Sequence, residues 1–156
     1  ALQFITKSHS RVIDIGCGAG FPGIPLKIAQ PLLDISLLEA SRKKVSFLKQ
    51  IVRILNLAPV MILHDRVENI MKTDLWQNKF DIVISRAAFK LPDFILMGEY
   101  FLASEGKIIA LKSSNVDEEI ASCFTVKNRC KISQLIQHDI EVDFLEAPRK
   151  IIIVKK

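Results

Sequence analysis

Short apolar stretches rich in β-branched residues alternate along this chain with longer stretches in which apolar residues recur at helical spacing. Short apolar runs bounded by turn signals are typical of buried strands. They predict strands at residues 11–15, 34–39, 59–63, 80–85 and 107–112. The stretches between them predict helices at residues 22–30, 67–72, 94–102 and 115–122, and one that Ser41 is expected to cap. From Phe124 onward the pattern predicts strands, the last at residues 150–154.

Strands and helices that alternate in this way predict an α/β fold, in which a mostly parallel central sheet carries helices on both faces. The chain has 156 residues and shows no internal repeat or linker-like segment, so we expect a single domain over residues 1–156. Ligands bind such sheets beyond the carboxyl ends of the strands, where the strand order reverses. The candidate functional residues are therefore those that directly follow the strands.

A glycine-rich loop follows the first predicted strand. It has the pattern D-x-G-x-G-x-G starting at Asp14, and it departs from the dinucleotide-binding G-x-G-x-x-G pattern because Phe21 occupies the last position. Glycine allows a tight turn and leaves the backbone bare, so Gly16 and Gly18 are candidate ligand contacts; the alternative is a purely structural turn. Cys17 is interpreted as a small loop residue rather than a nucleophile, because no histidine partner is indicated nearby.

Charged side chains follow the next three predicted strands. Glu39 ends the second strand, and its carboxylate can accept hydrogen bonds from two hydroxyl groups at once. Val67 and Glu68 come soon after the third strand, where Glu68 either belongs to a binding site or begins a solvated helix. Arg86 follows the fourth strand. It either donates to an acceptor-rich ligand such as a guanine edge, shapes a cofactor pocket, or makes an ordinary surface ion pair.

The charge balance permits a nucleic-acid partner without requiring one. Lys and Arg number 22 against 17 Asp and Glu, for a net charge of +5. Lys49, Arg53 and Lys112 are candidates for phosphate contacts, against the alternative of solvated surface side chains. No apolar run approaches the roughly 18 residues of a membrane span. The three cysteines lack metal-ligand spacing. We therefore expect reduced thiols, no metal, no membrane association and a cytoplasmic protein.

Several sequence blocks, in the right order, resemble those of the RsmG family, the 16S ribosomal RNA guanine-N7 methyltransferases also called glucose-inhibited division protein B. Residues 16–26, which read G-C-G-A-G-F-P-G-I-P-L, resemble the family's extended glycine motif. Residues 37–48 resemble its second block, which usually has Asp where this chain has Glu39. Further similarity lies in residues 66–68, 85–87, 110–112 and 149–155.

The resemblance implies the class I S-adenosylmethionine-dependent methyltransferase fold, which is Rossmann-like. It also implies methyl transfer from S-adenosyl-L-methionine to N7 of a guanine in 16S ribosomal RNA or the small ribosomal subunit. Guanine N7 has a free lone pair, so no strong general base is required. The cofactor residues implied are Gly16, Cys17, Gly18, Phe21, Glu39, Val67, Glu68 and Arg86, with Arg86 also the catalytic candidate.

Family members carry a helical segment before the first strand, and residues 1–10 are expected to be its remnant. Two other functions remain open at this stage. One is a small-molecule or protein methyltransferase of the same fold, and the other is an RNA-binding protein that has lost catalysis.

Overall fold

The computed structural model describes residues 1–113, 116–127, 132–140 and 149–156. In this part of the chain the strands are β1 Arg11–Ile15, β2 Asp34–Glu39, β3 Val60–His64, β4 Phe80–Arg86, β5 Leu102–Ser113, β6 Gln134–Ile140 and β7 Arg149–Lys155. The helices are α1 Gly23–Ala29, α2 Arg42–Ile54, α3 Val67–Ile70, α4 Leu91–Phe101 and α5 Asp117–Lys127. Short 3₁₀ turns lie at Leu2–Phe4 and Asp74–Trp76.

The described strands form one sheet in the order β3-β2-β1-β4-β5-β7-β6. The first five strands are parallel, whereas β7 runs antiparallel between β5 and β6. The chain winds outward from β1 to β3 and then returns to the other side of β1 with β4. The strand order therefore reverses between β1 and β4, and their carboxyl ends border the crevice in which open α/β sheets bind ligands.

Apolar side chains pack on both faces of the sheet. Ile24 of α1 and Leu48 of α2 belong to one buried cluster with Val12. Phe94 of α4 belongs to the other cluster with Ile13. Neighbouring strand residues point to opposite faces, so a strand covered on both sides is apolar at successive positions. The predicted α/β fold, with a mostly parallel sheet between helices, is confirmed.

Most predicted boundaries lie within three residues of the observed ones, but two are wrong by five residues. The fifth strand was expected to begin at residue 107, after the turn-forming residues Ser104 and Gly106, but β5 begins at Leu102, directly after α4 ends at Phe101. Leu102 is buried and pairs with Phe80 before the register shifts, so packing against β4 overrides the local turn signal. The helix α5 continues to Lys127, where strand was expected from Phe124. Residues 128–131 and 141–148 of that expected strand region lie outside the described residues.

Candidate active site

The loop after β1 passes over the carboxyl end of the sheet through three glycines in the left-handed backbone region. The φ angles are 67°, 60° and 91° at Gly16, Gly18 and Gly20. Such angles favour glycine, because a side chain would collide with the backbone. The N–H groups of Gly16 and Cys17 donate to the Leu38 carbonyl of β2, at 2.9 and 3.2 Å. A Cβ at Gly18 would meet nothing within 4 Å, so this backbone faces open space.

Glu39, at the end of β2, joins the glycine loop to α2. Its buried carboxylate accepts from the Gly18 N–H through Oε2 at 2.9 Å and from the Ser41 N–H through Oε1 at 2.8 Å. Ser41 is the N-cap of α2, but its side chain makes no cap hydrogen bond, contrary to expectation. A carboxylate offers about four acceptor positions. Glu39 therefore fixes the loop and still has capacity to accept from a ligand.

Asp14 lies fully buried in β1 beneath the glycine loop. Its Oδ2 accepts from the Gly23 N–H at 2.8 Å, while Oδ1 is buried without a hydrogen-bond partner in the described part of the chain. Burial raises the pKa of Asp14 to about 7; the Gly23 N–H and Arg86 act against this rise, and Glu39 adds to it. Asp14 was not among the predicted site residues, although a carboxylate inside an apolar strand was a signal for it.

We expect Asp14 to make the fold less stable as the pH rises from about 4 to about 7. The pKa of this carboxyl is higher in the folded than in the unfolded chain, so the folded chain binds more protons in that window. Raising the pH therefore favours unfolding until Asp14 is ionised in both states. Arg86 and Glu39 are the charged groups that act on it.

The measurement is urea unfolding across that pH range, for the wild type and for Asp14→Asn. The asparagine keeps an acceptor for the Gly23 N–H but does not titrate. The free energy of unfolding of the wild type should fall relative to the variant as the pH rises, and the difference should level off above about pH 7. Parallel pH profiles would contradict the assignment.

A pocket of about 190 Å³ lies at the carboxyl ends of β1, β2 and β3. Four of the predicted site residues line it together: Gly16, Glu39, Val67 and Glu68. Val67 is buried at the start of α3, whereas the Glu68 side chain is exposed. The pocket is also lined by Phe89, which no sequence pattern singled out. Phe89 belongs to the loop after β4, and it reaches the pocket because β4 lies beside β1 in the sheet.

Phe21 and Arg86 form an exposed pair at the carboxyl end of the sheet. The Arg86 guanidinium lies 5.3 Å from the centroid of the Phe21 ring, within the range of a cation–π interaction. Phe21 itself is 47% exposed. No ion pair within the described part of the chain involves Arg86. Arg86 thus makes an aromatic contact in the structure, and not the surface ion pair that was one of the alternatives considered from the sequence.

Cys17 is a buried part of the loop. Burial, with further contributions from Asp14 and Glu39, holds the pKa of its thiol far above the ordinary value. The thiol is therefore protonated at neutral pH and is a poor nucleophile. Its backbone instead holds the turn, because the Cys17 carbonyl accepts from the N–H groups of Gly20 and Phe21.

The predicted phosphate contacts fall into two groups. Lys49 and Arg53 are exposed on α2, as such a contact requires. Lys112 is different, because its side chain is 9% exposed and its ammonium group donates to the Phe89 carbonyl and to Glu119. The Lys112 side chain therefore points into the protein, unlike either of the two alternatives considered from the sequence, a phosphate contact or a solvated surface lysine.

Two further features concern only the described residues. No three His, Cys, Asp or Glu side chains are grouped there so that they could hold a metal ion. None of the helices there has the length and apolar character needed to span a membrane.

The strand order, the glycine loop after β1 and the acid at the end of β2 define a class I methyltransferase fold. The structure is similar to that of a predicted O-methyltransferase from Agrobacterium tumefaciens, with a TM-score of 0.79 and 19% identity over 99% of this chain and 77% of the other. It is also similar to TYW2 of M. jannaschii, solved in complex with AdoMet, with a TM-score of 0.75 and 17% identity over 99% and 71% of the two chains.

Sequence comparison narrows this class to a family. Residues 1–152 match the family model GidB, described as rRNA small subunit methyltransferase G, and the chain belongs to that family. It is 54% identical over 110 residues to ribosomal RNA small subunit methyltransferase G of Syntrophus aciditrophicus, covering 70% of this chain and 46% of the relative. It is 37% identical over 152 residues to the protein of that name from Caldanaerobacter subterraneus, covering 96% and 62%. The chain thus spans about half to three fifths of the length of these relatives.

Proposed function

We propose that this protein transfers a methyl group from S-adenosyl-L-methionine to N7 of a guanine in 16S ribosomal RNA, in the cytoplasm. One observation carries the proposal: the glycine loop, Glu39 and the start of α3 meet at one pocket in a member of this family. The names of the relatives support ribosomal RNA of the small subunit as the substrate. The N7 position follows from the sequence resemblance.

The residues around the pocket fit the proposed cofactor. The bare backbone at Gly18 accommodates a ligand, and Glu39 has acceptor capacity for ribose hydroxyls. Val67 and Glu68 border the pocket where we assign the adenine. When bound, S-adenosyl-L-methionine supplies a methyl group that its sulfonium centre already activates.

The exposed pair of Phe21 and Arg86 is suited to the acceptor base. Guanine presents N7 and O6 as acceptors, and a guanidinium group can donate to them. Because N7 carries a free lone pair, the protein has to orient the base rather than remove a proton. A nucleophilic side chain is not needed for this reaction either, and the buried Cys17 thiol, whose pKa is raised, does not supply one.

The direct test is a methylation assay on small ribosomal subunits that lack the modification, with mass spectrometry to map 7-methylguanine. A full-length relative, such as the Syntrophus protein, serves as the positive control for the RNA substrate. Calorimetric titration with S-adenosyl-L-methionine is carried out on the same preparation. Methylation of small acceptors or proteins with no RNA product would favour the rival function, and a lack of cofactor binding would overturn the proposal.

We expect Arg86→Ala to lower methyl transfer by at least about tenfold while the free energy of unfolding changes by less than about 1 kcal/mol. The physical reason is that the Arg86 side chain is exposed and, among the described residues, packs against the Phe21 ring without forming an ion pair, so little packing is lost. Unchanged cofactor affinity with reduced turnover would assign Arg86 to the guanine, and weaker affinity would assign it to the cofactor. Arg86→Lys keeps the positive charge but removes the planar guanidinium group, so its turnover shows which of the two properties the reaction requires. Wild-type turnover in Arg86→Ala would remove Arg86 from the site.

A further inference from the structure

The loop between β4 and α4, residues 87–90, forms one wall of the candidate site. Phe89 of this loop lines the pocket. A Cβ built on Gly16 would lie 2.9 Å from the Ala88 Cβ and 3.3 Å from the Phe89 ring. The wall loop, as we call residues 87–90, therefore packs directly against the glycine loop. A shift of the wall loop by even a fraction of an ångström would change the shape of the pocket.

Polar contacts at both ends and at the middle hold the wall loop to β5 and α5. The Ala87 N–H donates to the Leu111 carbonyl at 3.1 Å. The Lys112 ammonium donates to the Phe89 carbonyl at 2.5 Å. The N–H of Leu91, the first residue of α4, donates to Glu119. Two of these contacts depend on charged side chains that are themselves paired.

Lys112 and Glu119 form a partly buried ion pair, with Nζ 2.8 Å from Oε2. Burial alone would raise the pKa of Glu119, but the hydrogen bonds from Lys112 and from the Leu91 N–H outweigh it and hold the pKa below its ordinary value. The carboxylate is thus ionised at neutral pH, at the N-terminus of α4, where negative charge is favourable. Charge-assisted hydrogen bonds of this kind are stronger than those between neutral groups.

We propose that Lys112 and Glu119 are positioning residues that set the affinity for S-adenosyl-L-methionine by holding the wall loop, without touching the ligand. The inference rests on the proposed function, because it assigns that cofactor to the pocket that Phe89 lines. It gives the inward-facing Lys112 a role that neither of the alternatives considered from the sequence assigned to it.

A second ion pair provides a matched control. Lys150 of β7 lies 3.0 Å from Asp117 of α5, so it also ties the sheet to α5, and its side chain is 14% exposed. Its other ion-pair partner is Asp139 of β6, at 3.9 Å. Neither Lys150 nor its partners line the pocket. Loss of the Lys150 ammonium should therefore affect stability without affecting the wall loop.

The test compares Lys112→Met with Lys150→Met. Methionine keeps much of the aliphatic length of lysine, and Glu119 is exposed enough to be hydrated when its partner is removed. We expect calorimetry to show a dissociation constant for S-adenosyl-L-methionine raised about tenfold in Lys112→Met and changed less than about twofold in Lys150→Met. Lys112→Arg, which keeps a cationic donor, should restore part of the affinity.

Hydrogen exchange on the ligand-free protein provides a readout that does not depend on the cofactor. Exchange at the amides of residues 87–91 should become faster in Lys112→Met and stay at the wild-type rate in Lys150→Met. If Lys112→Met does not fold, the near-isosteric Glu119→Gln is measured in the same two ways. Wild-type affinity together with wild-type exchange in the folded variant would overturn the positioning role. Failure of the wild type to bind S-adenosyl-L-methionine would instead overturn the proposed function, and exchange would still show whether the pair holds the wall loop.

Discussion

Gly16→Val should abolish measurable binding of S-adenosyl-L-methionine. Gly16 has a φ of 67°, which a β-branched residue adopts only under strain. Its Cβ would also overlap the Ala88 Cβ, at 2.9 Å. The wall loop would then be displaced, and a misplacement of about 1 Å can cost about a hundredfold in function. We also expect a loss of about 2–4 kcal/mol in the free energy of unfolding, from backbone strain and overpacking.

Gly18→Ala is the matched control for backbone strain. Gly18 has a similar φ of 60°, but a Cβ there would meet no atom within 4 Å. Its loss of stability should therefore come from the backbone alone, about 1–2 kcal/mol. Urea unfolding of Gly16→Ala beside Gly18→Ala separates collision from strain, because the two alanines would adopt similar φ angles and only the one at residue 16 would meet a neighbouring atom. Wild-type affinity for S-adenosyl-L-methionine in a folded Gly16→Val protein would remove the glycine loop from the cofactor site.

Glu39→Ala should weaken binding of S-adenosyl-L-methionine by about 1.5–3 kcal/mol, or about 10- to 150-fold, the usual worth of hydrogen bonds to a charged group. Besides the expected ribose contact, the structure provides a second reason for this loss of affinity. Glu39 also accepts from the N–H groups of Gly18 and Ser41, so its loss frees the glycine loop from α2. Part of the effect should therefore appear even with a ligand that lacks ribose hydroxyls.

The two contributions are separated by titrating wild type and Glu39→Ala with the cofactor and with its 2′,3′-dideoxy analogue. The analogue reports only the loss of loop order, and the additional loss seen with the cofactor reports the ribose contact. Equal losses for both ligands would show that Glu39 acts through the loop alone. No loss for either ligand would place the cofactor elsewhere.

Local patterns were sufficient to predict most of the strands. The observed β1 and β2 coincide with the predicted residues 11–15 and 34–39. Both strands are buried on two faces, and their buried positions are apolar apart from Asp14, Ser36 and Glu39. The predicted start of the fifth strand at residue 107 is wrong, because pairing of Leu102 with Phe80 extends β5 through the turn-forming residues 104–106.

Local sequence patterns were enough to predict the order of most strands and helices, the glycine loop and the acidic residue at position 39. These depend on burial and backbone conformation, which nearby residues control. Local patterns could not predict that β4 lies beside β1, and therefore that Phe89 lines the pocket and Arg86 lies over Phe21, because these contacts join distant parts of the chain. They could not predict either that the Lys112 side chain faces inward. The direction of a charged side chain depends on which distant groups offer it hydrogen bonds, and spacing along the chain does not record those partners.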